Sequence, residues 1–174
     1  MPQLRQSRQT VEVVSPYFKK KTKEAKRVIQ TFKALDEEID LIKDFPLLPD
    51  DRLNVINAKT KRKITPFQFK VYDLCAQIPK GQVSTYKAIS DALQSSPRAV
   101  GQALRTNPYA PLPVPCHRVI SATFAIGGFD GGFGDCQLVA DKKAKLTKEG
   151  CQFDEYTFVA NADGTQAIFK DFRV

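Results

Sequence analysis

The chain has 174 residues, with 27 Lys and Arg against 19 Asp and Glu for a formal net charge of +8, and it holds 4 Cys, 1 His, 1 Met and no Trp. That length suits one domain, or one domain with an arm. No apolar run approaches the roughly 20 residues of a membrane span and no basic-then-apolar leader opens the chain, so no membrane partner is expected. The cysteines at 75, 116, 136 and 151 make no C-x-x-C pair, and the first 74 residues hold neither Cys nor His. A structural zinc site is thereby excluded, no metal is expected, and the absence of a disulfide framework points to a reducing compartment.

The positive excess lies in the first two thirds. Residues 1–65 carry 15 basic and 9 acidic side chains, 66–120 carry 6 and 2, and 121–174 carry 6 and 8. Such a split favours an anionic partner, nucleic acid ahead of membrane, although a charge of this size also serves solubility alone. Residues 1–64 read as a basic, partly helical arm. Lys19, Lys20, Lys21, Lys23, Lys26 and Arg27 form one cluster, and Lys59, Lys61, Arg62 and Lys63 form a second. Between them Val28, Ile29, Phe32, Leu35 and Ile39 recur at helical steps, which predicts an amphipathic helix over about 24–43. The clusters fit a nuclear address, phosphate contacts or a solvated helix face.

After Pro66, Phe67, Val71, Leu74, Cys75 and Ile78 fit one helix face, ended by Pro79 and Gly81. Ser84 or Thr85 is placed to cap a short helix from Tyr86 to Leu93, with Ile89, Ala92 and Leu93 inward. Gln94, Ser95 and Ser96 follow, and Ser96 caps a third helix that starts at Pro97, runs to about Thr106 and buries Val100 and Leu104. Two short helices across a three-residue turn make a helix-turn-helix pattern. The third helix carries Arg98 and Arg105 beside Ala99, Gly101 and Ala103. A small-residue face of that kind suits the narrow minor groove better than reading of the major groove, and it would equally pack on another helix.

Residues 107–120 begin with Asn107-Pro108 and lead through four prolines to Cys116 and the chain's single histidine, His117. The prolines predict a rigid, extended approach. A thiolate is the nucleophilic form of cysteine, and a neighbouring His or Arg favours it. In an extended segment adjacent side chains face opposite ways, so His117 is expected to reach the Cys116 proton through a water. Beyond the site, 157–160 and 166–169 flank Asn161-Ala162-Asp163-Gly164 and predict a hairpin. Cys75, Cys136 and Cys151 read as core or incidental thiols.

Pro115-Cys116-His117-Arg118-Val119 resembles the signature of the O6-alkylguanine-DNA alkyltransferases. The resemblance extends over about 65–152, through Thr65-Pro66-Phe67, Gly81, Tyr86, Arg98-Ala99-Val100-Gly101, Asn107-Pro108, Gly127, Gly131-Gly132 and Glu149-Gly150. It implies a mainly α chain of the α+β class, with a winged-helix-like DNA-binding domain at 65–152, the basic arm before it and an extension at 153–174. It implies direct transfer of an alkyl group from O6-alkylguanine in double-stranded DNA to Cys116, once per molecule, without cofactor, by a protein acting as a monomer. Base flipping is required because the alkylated oxygen is out of reach inside the stack.

By the same resemblance Arg98 fills the space of the flipped base, and Tyr86 helps rotate the nucleotide and protonates the guanine. His117 is the base and Glu149 its orienter, while Asn107 braces the turn into the site. Gln68, Lys87, Ser95, Ala99, Gly101 and Ala122 fall on the DNA strand, and Val119, Phe129 and Asp130 surround the base. Three departures stand out. Residues 1–65 do not resemble the family's N-terminal domain, Asp130 is a carboxylate where a hydroxyl donor is expected, and the stretch from Gly132 to Glu149 is long. The nucleus is the expected compartment, with the cytoplasm as alternative. The competing functions are a module that binds alkylated DNA without transfer and a thiol redox sensor using Cys116.

Overall fold

The computed structural model describes residues 45–129, 131, 132, 134 and 136–174. The helix expected over 24–43, the first basic cluster and Asp130 lie outside the described residues. Helix α1 (Pro66–Cys75) starts at Thr65 because a reciprocal cap forms there. The Thr65 hydroxyl accepts the Gln68 N–H at 3.2 Å, and the Gln68 side chain accepts the Thr65 N–H at 2.8 Å. The helix buries Phe69, Val71, Tyr72, Leu74 and Cys75. It stops short of Ile78, which is delivered to the core by two tight turns, Gln77 N–H to Leu74 O and Ile78 N–H to Cys75 O, each 3.1 Å. Pro79 explains the stop, since the residue before a proline avoids helical geometry.

Strand β1 (Ser84–Thr85) runs into α2 (Tyr86–Ala92), which Thr85 caps by accepting the Ala88 N–H at 3.0 Å. After a turn in which Gln94 takes φ +50°, Ser96 caps α3 (Pro97–Arg105) with Pro97 at its first position. Val100, Ala103 and Leu104 are the buried residues of α3. Ala103 therefore does not belong to an exposed small-residue face. It sits one turn from Val100 on the core side, and its carbonyl accepts the Tyr72 hydroxyl at 3.2 Å.

The proline-rich stretch is not an extended approach. It folds back on itself, with Val114 N–H reaching Tyr109 O at 3.3 Å, and Cys116–Arg118 then form one turn of 3-10 helix. Strand β2 (Val119–Ile120) pairs in parallel with β1, Ser84 opposite Val119 and Thr85 opposite Ile120. Helix α4 (Gln137–Lys148) precedes an antiparallel pair, β3 (Gln152–Asp154) and β4 (Thr157–Ala160). Residues 157–160 thus pair backward with β3, through a turn made possible by Glu155 at φ +48°, and not forward with 166–169. The later turn does form, with Asn161 N–H to Thr165 O at 2.7 Å, but its outgoing limb lies on β1: Phe169 N–H reaches Val83 O at 2.9 Å and Ser84 Oγ–H reaches Phe169 O at 2.7 Å.

The main core joins Phe45 and Ile64 to residues of α1, α2 and α3 and to Val114, Cys116 and Val119. Each large aliphatic side chain fully buried there contributes about 1.5–3 kcal/mol. Residues 45–64 are fastened to α1 by Arg52, whose guanidinium makes two 2.6 Å bonds to Asp73 and lies over the rings of Phe45 and Phe69. A second cluster, Val83, Ile120, Leu146, Cys151 and Phe158, supports the far side of the β1–β2 pair. The mixed α+β fold, weighted toward helix, agrees with the expected class.

Candidate active site

The turn at 116–118 decides how the reactive residues meet. Cys116 N–H donates to Val114 O at 2.8 Å and Arg118 N–H to Pro115 O at 2.9 Å, so these residues form a turn and not the extended segment that the prolines predict. His117, 3% exposed, donates from Nε2 to Glu149 Oε1 at 2.8 Å. Its other ring nitrogen, Nδ1, is buried and has no hydrogen-bond partner among the described residues. Arg118, 1% exposed, binds both oxygens of the same carboxylate at 2.9 Å and anchors Nη1 on Ile78 O at 2.8 Å.

Glu149 is the C-terminal cap residue of α4, where a negative charge opposes the helix dipole. Burial also opposes its ionisation, but hydrogen bonds from His117 and Arg118 and the guanidinium charge outweigh both and hold its carboxyl down at about 2. A carboxylate ionised throughout the working range accepts the Nε2 proton and so leaves Nδ1 as the lone-pair nitrogen. Asn107, wholly buried, braces the incoming loop: its Nδ2 donates to Val114 O at 3.1 Å and its Oδ1 accepts the Tyr109 N–H at 2.9 Å.

Cys116 opens onto a cavity of about 560 Å³. Of the residues expected at the site, Tyr86, Lys87, Arg98, Gly101, Ala122 and Phe129 line it with Cys116. Lys59, Arg105 and Ser121 line it too, and the sequence reading had given them no place there. Tyr86 donates to Gly128 O at 3.2 Å, and burial raises its pKa well above the ordinary tyrosine value, which keeps the hydroxyl protonated. The Phe129 and Gly132 backbones exchange hydrogen bonds of 3.0 and 2.8 Å, forming the short turn that presents the Phe129 ring.

Other expected contacts are absorbed by the fold. The Gln68 side chain caps α1 and donates to Thr106 Oγ1 at 3.1 Å, tying α1 to the end of α3. The Ala99 N–H serves the Ser96 cap. Ser95 is exposed in the α2–α3 turn, outside the cavity lining. Val119 is buried in β2, and its carbonyl accepts Lys142 Nζ at 2.6 Å.

Lys142, outside the cavity lining, is a further residue that the sequence does not single out. It is fully buried, donates also to Ile126 O at 2.7 Å and Gly128 O at 3.4 Å, and lies 5.8 Å from the centroid of the Tyr86 ring. Burial lowers its pKa to about 7, an effect only partly offset by Cys116 and Cys75. A signal was present: Val139, Lys142 and Leu146 occupy one buried face of α4, so a lysine stands in an apolar stripe at helical spacing. Arg118 is legible as part of the five-residue motif, but its bonds to Glu149 and Ile78 O appear only in the fold.

Residues 66–151 match the family described as 6-O-methylguanine DNA methyltransferase, DNA binding domain. The chain is 45% identical over 100 residues to the methylated-DNA–protein-cysteine methyltransferase of Saccharolobus solfataricus, covering 58% of each chain. It is 43% identical over 88 residues to that of Thermococcus gammatolerans, covering 50% of this chain and 46% of the relative. It thus spans about half the length of these curated relatives, 58% of the first and 46% of the second. Among solved structures, the O6-methylguanine-DNA methyltransferase of Pyrococcus kodakaraensis is 30% identical over 76% of this chain and 79% of its own, with a TM-score of 0.44. Atl1 of S. pombe, solved with damaged DNA containing O6-carboxymethylguanine, is 32% identical over 53% of this chain and 84% of its own, with a TM-score of 0.43. The matched stretch contains Cys116, His117 and Glu149 together with the helices that hold them, and residues 66–151 of this chain belong to the DNA-binding domain family of the 6-O-methylguanine DNA methyltransferases.

Proposed function

We propose that the protein repairs double-stranded DNA by moving the alkyl group of O6-alkylguanine, chiefly O6-methylguanine, onto Cys116. The observation that carries this reading is that Cys116 lines a cavity together with Tyr86 and Arg98, while the next residue, His117, is held by Glu149 at 2.8 Å. His117 Nδ1 takes the thiol proton, directly or through a water, and the ionised Glu149 stabilises the resulting imidazolium. A sulfur lone pair then attacks the alkyl carbon. The S–C bond forms as the C–O bond breaks, and the bonding pair passes into the guanine ring, which takes a proton from the Tyr86 hydroxyl. The imidazolium proton returns to the tyrosine through solvent, so the net exchange places the thiol hydrogen on guanine and the alkyl group on sulfur. A thioether has no easy return path, so each molecule acts once.

On this reading the pair α2 and α3 is the helix-turn-helix of a winged-helix-like domain laid on the minor groove, with Arg98 entering the stack. The protein works as a monomer, and the nucleus is the compartment that its basic clusters fit. The test is to incubate the protein with duplex DNA containing O6-methylguanine, digest it and weigh the Cys116 peptide. A methyl-mass gain, abolished in Cys116→Ala while that variant still binds the DNA, is the expected result. Lesion binding with an unmodified peptide would overturn transfer in favour of a binding module. An unmodified, peroxide-sensitive Cys116 without lesion binding would favour a thiol sensor.

A further inference from the structure

The second basic cluster is not a solvated helix face. Residues 57–63 form a tight loop closed by Asn57 N–H to Arg62 O and Lys61 N–H to Asn57 O, both 2.8 Å, with Ile56 and Lys63 bridged at its base. One buried side chain fixes its position. Asn57, 1% exposed, accepts the N–H groups of Lys59 and Thr60 on Oδ1 at 2.8 and 3.2 Å, and donates from Nδ2 to Thr106 O at 2.7 Å. Thr106 is the C-cap of α3, so the amide satisfies a carbonyl that the helix end leaves open. The loop is thereby pinned to the C-terminal end of the helix whose N-terminal end carries Arg98.

Lys59, Lys61, Arg62 and Lys63 are all exposed on this loop, and Lys59 reaches the lining of the Cys116 cavity. Among the described residues, the charged ones in that lining are all basic: Lys59, Lys87, Arg98 and Arg105. Arg98 and Arg105 stand seven residues apart, about 10 Å along the helix, which matches the rise of about three base pairs. Positive charge therefore continues from the mouth of the cavity, along α3, and onto the loop.

We infer that the loop 57–63 is a phosphate clamp, which grips the DNA backbone beside the extruded nucleotide and adds affinity without reading sequence or lesion. This rests on the DNA-directed reading above. Lys61 takes φ +57° in this loop, where the chain reverses. The loop lies outside the matched stretch 66–151, so this contact belongs to the chain's own N-terminal region.

The test measures binding to one undamaged and one O6-methylguanine duplex across a salt series, for the wild type and for the triple variant Lys59→Gln, Lys61→Gln, Arg62→Gln. Each lost phosphate contact flattens the slope of log K against log salt by about 0.9, so a flattening of about 2 to 3, equal on both duplexes, is expected. A control with Lys80, Lys148 and Lys170 changed to Gln removes the same charge elsewhere and should keep the wild-type slope. An unchanged slope in a triple variant that melts like the wild type, or an equal flattening in the control, overturns the clamp. Cys116 alkylation of the wild type is read in the same samples. A wild type that is alkylated while the triple variant keeps its slope overturns only the clamp, whereas a wild type neither bound nor alkylated overturns the function proposed above.

Discussion

Glu149 Oε1 lies 2.8 Å from His117 Nε2, across 32 residues of sequence, while His117 Nδ1 stays buried without a partner among the described residues. The carboxylate thus chooses the tautomer and leaves the lone pair on Nδ1, the nitrogen that takes the Cys116 proton on the function proposed above.

Glu149→Gln removes that choice, because an amide can either donate or accept. Transfer to Cys116 should slow about 10²-fold or more, in keeping with the usual contribution of a positioned base, as measured by single-turnover kinetics on O6-methylguanine duplex. DNA affinity should hold, since Glu149 does not line the cavity.

The same residue sets an acid limit. Its folded pKa is depressed from 4.5 to about 2, so its stabilising contribution is fully present above 4.5 and is lost as pH falls toward 2. Urea titrations from pH 6 to 2.5 should show Glu149→Gln less stable than the wild type at pH 6, with the gap closing through that window. A gap independent of pH would contradict the assigned ionisation.

Lys142 acts in the opposite direction. Its pKa falls from 10.5 in the unfolded chain to about 7 in the fold, so between those values the unfolded state holds more protons and stability rises with pH. Wild-type stability should therefore gain between pH 7 and 10 relative to Lys142→Met, which lacks the increment. The Met variant also strips a donor from the carbonyls of Val119, Ile126 and Gly128, and should slow transfer by loosening both cavity walls.

Arg118→Met leaves the Glu149 charge buried with His117 alone and frees Ile78 O. Breaking a buried pair from one side costs about 3–5 kcal/mol, which chemical denaturation at pH 7 would register. Asn107→Ala should cost less, about 1–3 kcal/mol, mainly through the Tyr109 N–H left without its partner, since the Val114 carbonyl keeps the Cys116 N–H.

Gly150→Ala tests the junction behind the site. Gly150 takes φ +98°, and an added Cβ would lie 2.8 Å from Ala162 Cβ. The left-handed strain alone costs about 1–3 kcal/mol, and the clash should also displace Glu149. Slower transfer together with lower stability is the expected outcome. Full activity in a destabilised variant would separate the junction from the catalytic geometry.

Local rules in the sequence determined the helices. The caps at Thr85 and Ser96, the start of α3 at Pro97 and the apolar spacing of Val100 and Leu104 are short-range features, and they appear where the sequence places them. The PCHRV motif likewise identified Cys116 and His117 and named the family. Tertiary structure alone decided the remainder. It turned the proline-rich approach back on itself, took Ala103 into the core, engaged Gln68 between two helices and paired β4 with β3. It also buried Lys142 and Arg118, charges whose cost is met only by carbonyls and a carboxylate from distant parts of the chain. The spacing between Gly132 and Glu149 left the Glu149 role open in the sequence, because a one-dimensional spacing cannot tell which residue ends α4 against the His117 ring. That contact depends on the packing of α4 against the 116–118 turn, and no local propensity encodes it.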